Sequence, residues 1–109
     1  MKKPIKFKHG VPTKWNWVVW YPENVSIHPN TDIGSHCDIF GQCGVTIEEG
    51  VQIGAGCRIY SKNTINGTEG PVLIKRNSCI GANSVILPNS VIEEGQLVKA
   101  LSVYYRREK

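Results

Sequence analysis

The stretch IKRNSCIGANSVILPNSVIEEGQLV, Ile74 to Val98, carries an aliphatic residue at every sixth position: Ile74, Ile80, Ile86, Ile92 and Val98. The same beat runs upstream through Ile27, Ile33 and Ile39, then Ile47, Ile53 and Ile59, with Tyr21 in phase one step earlier. Four places after most of these stands a small residue, among them Thr31, Cys37, Cys43, Val51, Cys57, Ser78, Ser84, Ser90 and Ser102. A period of six is not a multiple of 3.6, so on a helix the aliphatics would wander around the surface. A short strand with a corner every six residues satisfies it, with one large aliphatic pointing inward and a small residue packed under the corner. Three such strands close a triangular coil, and coils stack at the strand-pairing distance of about 4.8 Å. The pattern therefore predicts an all-β parallel β-helix of about four coils.

Stacked in this way, the inward residues form three expected columns. One holds Ile27, Ile47, Ile74 and Ile92, a second Ile33, Ile53, Ile80 and Val98, and a third Tyr21, Ile39, Ile59 and Ile86. The phase is interrupted around Gly44–Thr46 and again at Ile65–Leu73, INGTEGPVL. The second interruption is too long for a corner and contains Gly67, Gly70 and Pro71, so residues 65–73 are expected to project as a loop. The chain divides into an N-terminal cap segment (1–20), the repeat domain (21–103) and a short basic tail (104–109). Trp15, Trp17 and Trp20 are expected to cap the first coil or join a subunit contact. At the other end, Tyr104 and Tyr105 or a neighbouring chain would cover the open edge.

Charge is segregated. Nine of the 13 Lys and Arg lie at the two ends, while Trp15–Val98 holds four basic and eight acidic residues. A nucleic-acid binder would carry a basic, aromatic-interleaved stripe through its body, so nucleic acid is disfavoured as a partner. No apolar run approaches the length of a membrane span and the N-terminus MKKPIKFKHG lacks an apolar signal core, which predicts a cytoplasmic protein without membrane insertion. Cys37, Cys43 and Cys57 fall on small corner positions and Cys79 on an outward one. None shows metal-ligand spacing, and the expectation is reduced, packed thiols with no bound metal.

These rungs, together with GPVLIKRNSCIGANSVILPNSVIEEG, resemble the hexapeptide-repeat acyltransferases, and most closely the small sugar acetyltransferases of polysaccharide and lipopolysaccharide biosynthesis. The resemblance covers Tyr21 to Val103 and implies a left-handed parallel β-helix, a homotrimer, and an acetyl-CoA-dependent transfer to a sugar or nucleotide-sugar of a surface-glycan precursor. Acyl donor and acceptor would meet between subunits, beside the projecting loop. By the same likeness, the CIGANSV segment places Ala82 and Asn83 on the cofactor path, Ala100 in VKALSV along the pantetheine arm, and Arg106 near the cofactor phosphates. Cys79 stands where the family has Trp, and Lys99 and Leu101 stand where it has glycines.

Acyl transfer from a thioester needs a base for the nucleophile's proton and donors for the developing oxyanion. Family members often carry a His at the start of the loop, whereas here the segment reads Ser61-Lys62-Asn63-Thr64. Lys62, Asn63, Thr64 and Asn66 are the expected substrate-loop residues. The histidines are His9, His28 and His36. His36, in IGSHCD, shares its column of corners with Gly56 and Asn83 and is the candidate base; a sugar amine, when unprotonated, needs none. Two other functions fit the scaffold: a non-catalytic trimeric assembly module, and a γ-carbonic-anhydrase-like metal enzyme whose paired histidine spacing is not found here.

Overall fold

The computed structural model describes residues 7–105, and its strands form a parallel β-solenoid of about four turns. Three sheets make its sides. The first face stacks Val18–Trp20, Asp38–Phe40, Arg58–Tyr60, Val85–Ile86 and Val103–Tyr104. The second stacks Val25–Ile27, Val45–Ile47, Val72–Ile74 and Val91–Ile92, and the third Asp32–Ile33, Gln52–Ile53, Cys79–Ile80 and Leu97–Val98. Every pairing between coils is parallel and in register, so each inward aliphatic sits on its counterpart in the coil below.

Two of the expected columns occur as written. Ile27–Ile47–Ile74–Ile92 and Ile33–Ile53–Ile80–Val98 are buried ladders. The third is corrected at its first rung: Val19, wholly buried, lies beneath Ile39, while Tyr21 is 40% exposed in a left-handed turn at φ 57°. The turn Pro22–Asn24 adds residues to the first coil, and Tyr21 kept the six-residue phase only by coincidence. Cys43 is also corrected. Val45 takes the inward place beside Val25 and Val72, which leaves Cys43 half-buried with its Sγ 3.7 Å from Glu69 Oε2.

All the surplus residues leave the solenoid at one corner, between the first and second faces. From Ile86 to Tyr104 a coil advances six residues per side. The coils that start at Val19 and Ile39 each carry two more, and the coil that starts at Ile59 carries nine more, always after the first face. The nine-residue surplus forms a β-hairpin, with Lys62–Asn63 paired antiparallel to Thr68–Glu69. It begins and returns earlier than its composition suggested, because Val72 is already buried in the next rung.

Small residues close the core under the corners. Cys37 Sγ donates to the Gly54 carbonyl, Cys57 Sγ to Gly81 and Ser84 Oγ to Lys99, the equivalent carbonyl of the next coil each time. Thiol and hydroxyl are thus interchangeable rungs, and each buried donor is satisfied. At the N-terminal end Trp17, 3% exposed, plugs the core with Phe7 at 5.2 Å. At the other end Tyr104 continues the first-face ladder and its hydroxyl donates to the Val91 carbonyl at 2.8 Å.

Ile59→Ala should lower the unfolding free energy by about 2–5 kcal/mol in a denaturant titration, since the side chain is fully buried between two rungs and its cavity cannot collapse. A thiol-reagent titration of the native protein should modify Cys43 and Cys79 and spare Cys37 and Cys57 until it unfolds. The Cys57 side chain, and then burial, push the Cys37 thiol well above the ordinary thiol range.

Candidate functional site

The corner between the third and first faces carries His36. Its turn residues, Asn16, His36, Gly56, Asn83 and Leu101, are all left-handed, with φ between 58° and 76°. Each N–H above the first donates to the coil below: His36 to Asn16, Gly56 to Ser35, Asn83 to Ala55 and Leu101 to Ala82. Glycine precedes these turns at Gly34, Gly54 and Gly81, where an added Cβ would lie 2.5, 2.6 and 2.3 Å from the backbone nitrogens of Ala55, Ala82 and Ala100. Only glycine allows coils to approach so closely. The approach leaves a strip of small residues along the corner. Among the described residues, nothing accepts the N–H of Ala82 or of Ala100. Asn83 folds its side chain over Gly56 in the coil below.

A groove at this corner is lined by Pro12, Asn16, Val18, His36, Asp38 and Arg58. Arg58 clamps it. Its Nε pairs with Asp38 Oδ2 at 3.1 Å, and its Nη1 donates to the carbonyls of His36 at 2.7 Å, Gly56 at 3.1 Å and Cys57 at 3.3 Å. The Trp20 indole N–H donates to the other Asp38 oxygen at 3.2 Å. His36 itself is exposed, and its Nδ1 meets only Ser35 Oγ, at 3.1 Å. The other two histidines are committed through Nδ1, His9 accepting from Tyr21 N–H at 2.9 Å and His28 from Asn30 N–H at 3.0 Å. Sequence reading missed Arg58 and Asp38. Their signal was present, as Asp38-Ile39-Phe40 and Arg58-Ile59-Tyr60 put opposite charges at one repeat position.

The hairpin residues mostly shape the hairpin. Asn63 Oδ1 accepts the Ile65 N–H at 3.1 Å and Asn66 Oδ1 the Thr68 N–H at 3.0 Å. Lys62 Nζ lies 3.7 Å from Glu69 Oε2, an exposed pair that neutralises the cation expected to meet substrate. Thr64 is exposed at the turn. The structure thus brings His36, Ala82, Asn83 and Ala100 to one corner and Lys62, Asn63, Thr64 and Asn66 to another. A strand side of about five residues, about 16 Å, separates the two groups within a chain. Arg106 lies outside the described residues. Among the described residues there is no group of three or more His, Cys, Asp or Glu placed to hold a metal.

Comparison with known proteins gives one relative of the same chemical class as the sequence resemblance. The chain is 30% identical over 95 residues to a dTDP-4-amino-4,6-dideoxy-D-glucose acyltransferase of Escherichia coli, across 72% of this chain and 50% of that protein. It therefore spans about half the length of the curated relative it matches. No protein-family model matches the chain, and no solved structure matches it.

Arg58→Met should cost about 1–2 kcal/mol of stability, because the carbonyls of His36 and Gly56 lose their side-chain donor and the Asp38 carboxylate keeps only the Trp20 indole N–H. Chemical denaturation of the variant against the parent chain measures it.

Proposed function

We propose that this hexapeptide-repeat solenoid, kin to a sugar acyltransferase, moves an acetyl group from acetyl-CoA to an amine or hydroxyl of a nucleotide-linked sugar destined for a surface glycan. We place the reaction in the cytoplasm, at clefts between the subunits of a homotrimer. The observation that carries this reading is the His36 corner, where an imidazole whose ring is free of backbone bonds shares a strip with the unpaired N–H groups of Ala82 and Ala100. The substrate for which that relative is named is an amino sugar, which favours an amine acceptor here.

The residues present fit a thioester donor. Acetyl-CoA, when bound, supplies the activated acyl group. In this reading the small-residue strip takes an extended arm and the Ala100 N–H binds one of its amide carbonyls, supported by the close approach of the coils at Gly81 and by that N–H having no acceptor among the described residues. The Ala82 N–H is the donor for the thioester carbonyl oxygen, where negative charge develops during attack. His36 takes the proton from the attacking amine or hydroxyl, a role that imidazole performs near neutral pH. Arg58 holds the His36 carbonyl and so fixes the turn from which the ring projects. Asn83 packs this strip, Arg106 meets the cofactor phosphates, and Thr64 with its hairpin neighbours contacts the acceptor.

Acetyl-CoA at about 100 times its dissociation constant should stabilise the folded chain by about 2.7 kcal/mol, read as a rise in melting temperature. No rise would point to the non-catalytic assembly module instead. In a screen of nucleotide-linked amino sugars, His36→Ala should retain that stabilisation and lose about 10²–10⁴-fold in turnover. Undiminished turnover would remove His36 as base and leave the route in which an unprotonated amine attacks unaided.

A further inference from the structure

On its outer side the first face stacks Trp20, Phe40 and Tyr60 into an aromatic ladder. On its inner side, under the His36 corner, two free thiols are stacked. Asp38 and Arg58 pair in register, so the residues that precede them, Cys37 and Cys57, are neighbours across one strand spacing. That spacing, about 4.8 Å, falls within the Cα separation that a disulfide spans. Both side chains point the same way, Cys37 Sγ donating to the Gly54 carbonyl and Cys57 Sγ to the Gly81 carbonyl, each at 3.2 Å. The next rung makes the same bond with the hydroxyl of Ser84. Packing therefore asks for a small donor at this column and not for sulfur.

We propose that Cys37 and Cys57 are a redox site: hydrogen peroxide closes them to a disulfide, and that cross-coil bond regulates the corner from which His36 projects. The oxidation stands on the pair itself, while its effect on turnover rests on the transferase reading. Each thiol is the strongest influence on the other. The Cys37 side chain brings the Cys57 thiol down to about 7 against the burial that opposes it, with help from the backbone N–H groups of Ser84 and Asn83 and the charge of Arg58. The Cys57 side chain, and then burial, hold the Cys37 thiol well above the ordinary range. Cys57 is thus the thiolate nucleophile and Cys37 the protonated partner that resolves it. Access is through the groove of about 410 Å³ whose wall includes Cys37 and Arg58. With exposures of 1% and 0%, the pair is closed to a bulky thiol reagent, whereas a peroxide is close to water in size and needs only a small opening of that wall.

The Cys57 sulfur attacks one peroxide oxygen. An S–O bond forms, the O–O bond breaks, and hydroxide leaves and takes up the proton that Cys57 released. The Cys37 sulfur then attacks the Cys57 sulfur. An S–S bond forms, the S–O bond breaks, and the departing oxygen leaves as water with the Cys37 proton. Two thiols are oxidised to one disulfide, and one peroxide is reduced to two waters. Closure removes both S–H donors from the Gly54 and Gly81 carbonyls. It also ties two coils together at the residues that directly follow His36 and Gly56. Arg58 Nη1 bonds the carbonyls of His36, Gly56 and Cys57 together, so a shift of either cysteine is passed to the turn that carries His36.

The test uses the full chain with Cys43→Ser and Cys79→Ser, so that only the pair remains. A small molar excess of hydrogen peroxide should remove about two mass units from the folded chain, and dithiothreitol should restore them. Cleavage after Glu48 and Glu49 should leave the Cys37 and Cys57 fragments joined. Cys37→Ser should stop at an oxygen adduct of about 16 mass units on Cys57, and Cys57→Ser should react roughly tenfold more slowly. Serine fits both places, as it does at Ser84. A mass unchanged by peroxide, a link formed only after denaturation, or equal reaction of the two single variants would overturn the redox site. In the acetyl-transfer assay the oxidised chain should lose turnover several-fold and regain it with dithiothreitol, and peroxide should leave the turnover of Cys57→Ser where it was. A linked chain with undiminished turnover would overturn the regulatory role. A reduced chain without any turnover would count against the transferase reading instead, and the mass readout would still decide the redox site.

Discussion

Isoleucine stacked on isoleucine at the strand-pairing distance sets the pitch of the whole molecule. Each inward side chain fills the space left by the one below, so a rung cannot slip without exposing its aliphatic and burying a polar neighbour. In-register parallel pairing follows on all three sides. It also forces each coil to return to the same angular position, which is why corner residues fall in columns. The left-handed column from Asn16 through His36 to Leu101 is a product of core packing as much as of its own turn residues.

That constraint decides where variation is tolerated. Two sides of every coil keep six residues, and the surplus is shed wholly at the corner after the first face, as a short turn twice and as a hairpin once. A corner can lengthen without disturbing the ladders because its backbone groups reach solvent or pair with each other. The opposite edge of that face stays tight, held by glycines that let backbone meet backbone. One edge of the first face is therefore rigid and lined with unpaired donors. The other is extended and adjustable. The two edges lie a full strand side apart within the chain.

Electrostatics tie the rigid edge together. Arg58 and Asp38 are neighbours across coils, and through the Trp20 indole and the His36 carbonyl they join the aromatic ladder to the turn that carries the candidate base. The Lys62–Glu69 pair lies across the two strands of the hairpin, each charge offsetting the other.

The repeat, two complete ladders, the projecting segment and the column shared by His36, Gly56 and Asn83 were legible in the amino acids, because a strict period repeated across coils fixes which side chains face inward. That Val19 rather than Tyr21 begins the third ladder, and that Cys43 leaves the small-residue column for the hairpin base, emerged with the folded coils. Both errors came from counting sixes through a corner that had silently lengthened; phase alone cannot separate an in-step residue from an inserted one. Tertiary structure likewise decided that Asp38, Arg58 and Trp20 converge and that the Asn63 and Asn66 side chains are spent on the hairpin turn. Hydrogen-bond partners depend on which backbone groups the neighbouring coil leaves open, and no single coil's sequence contains that information.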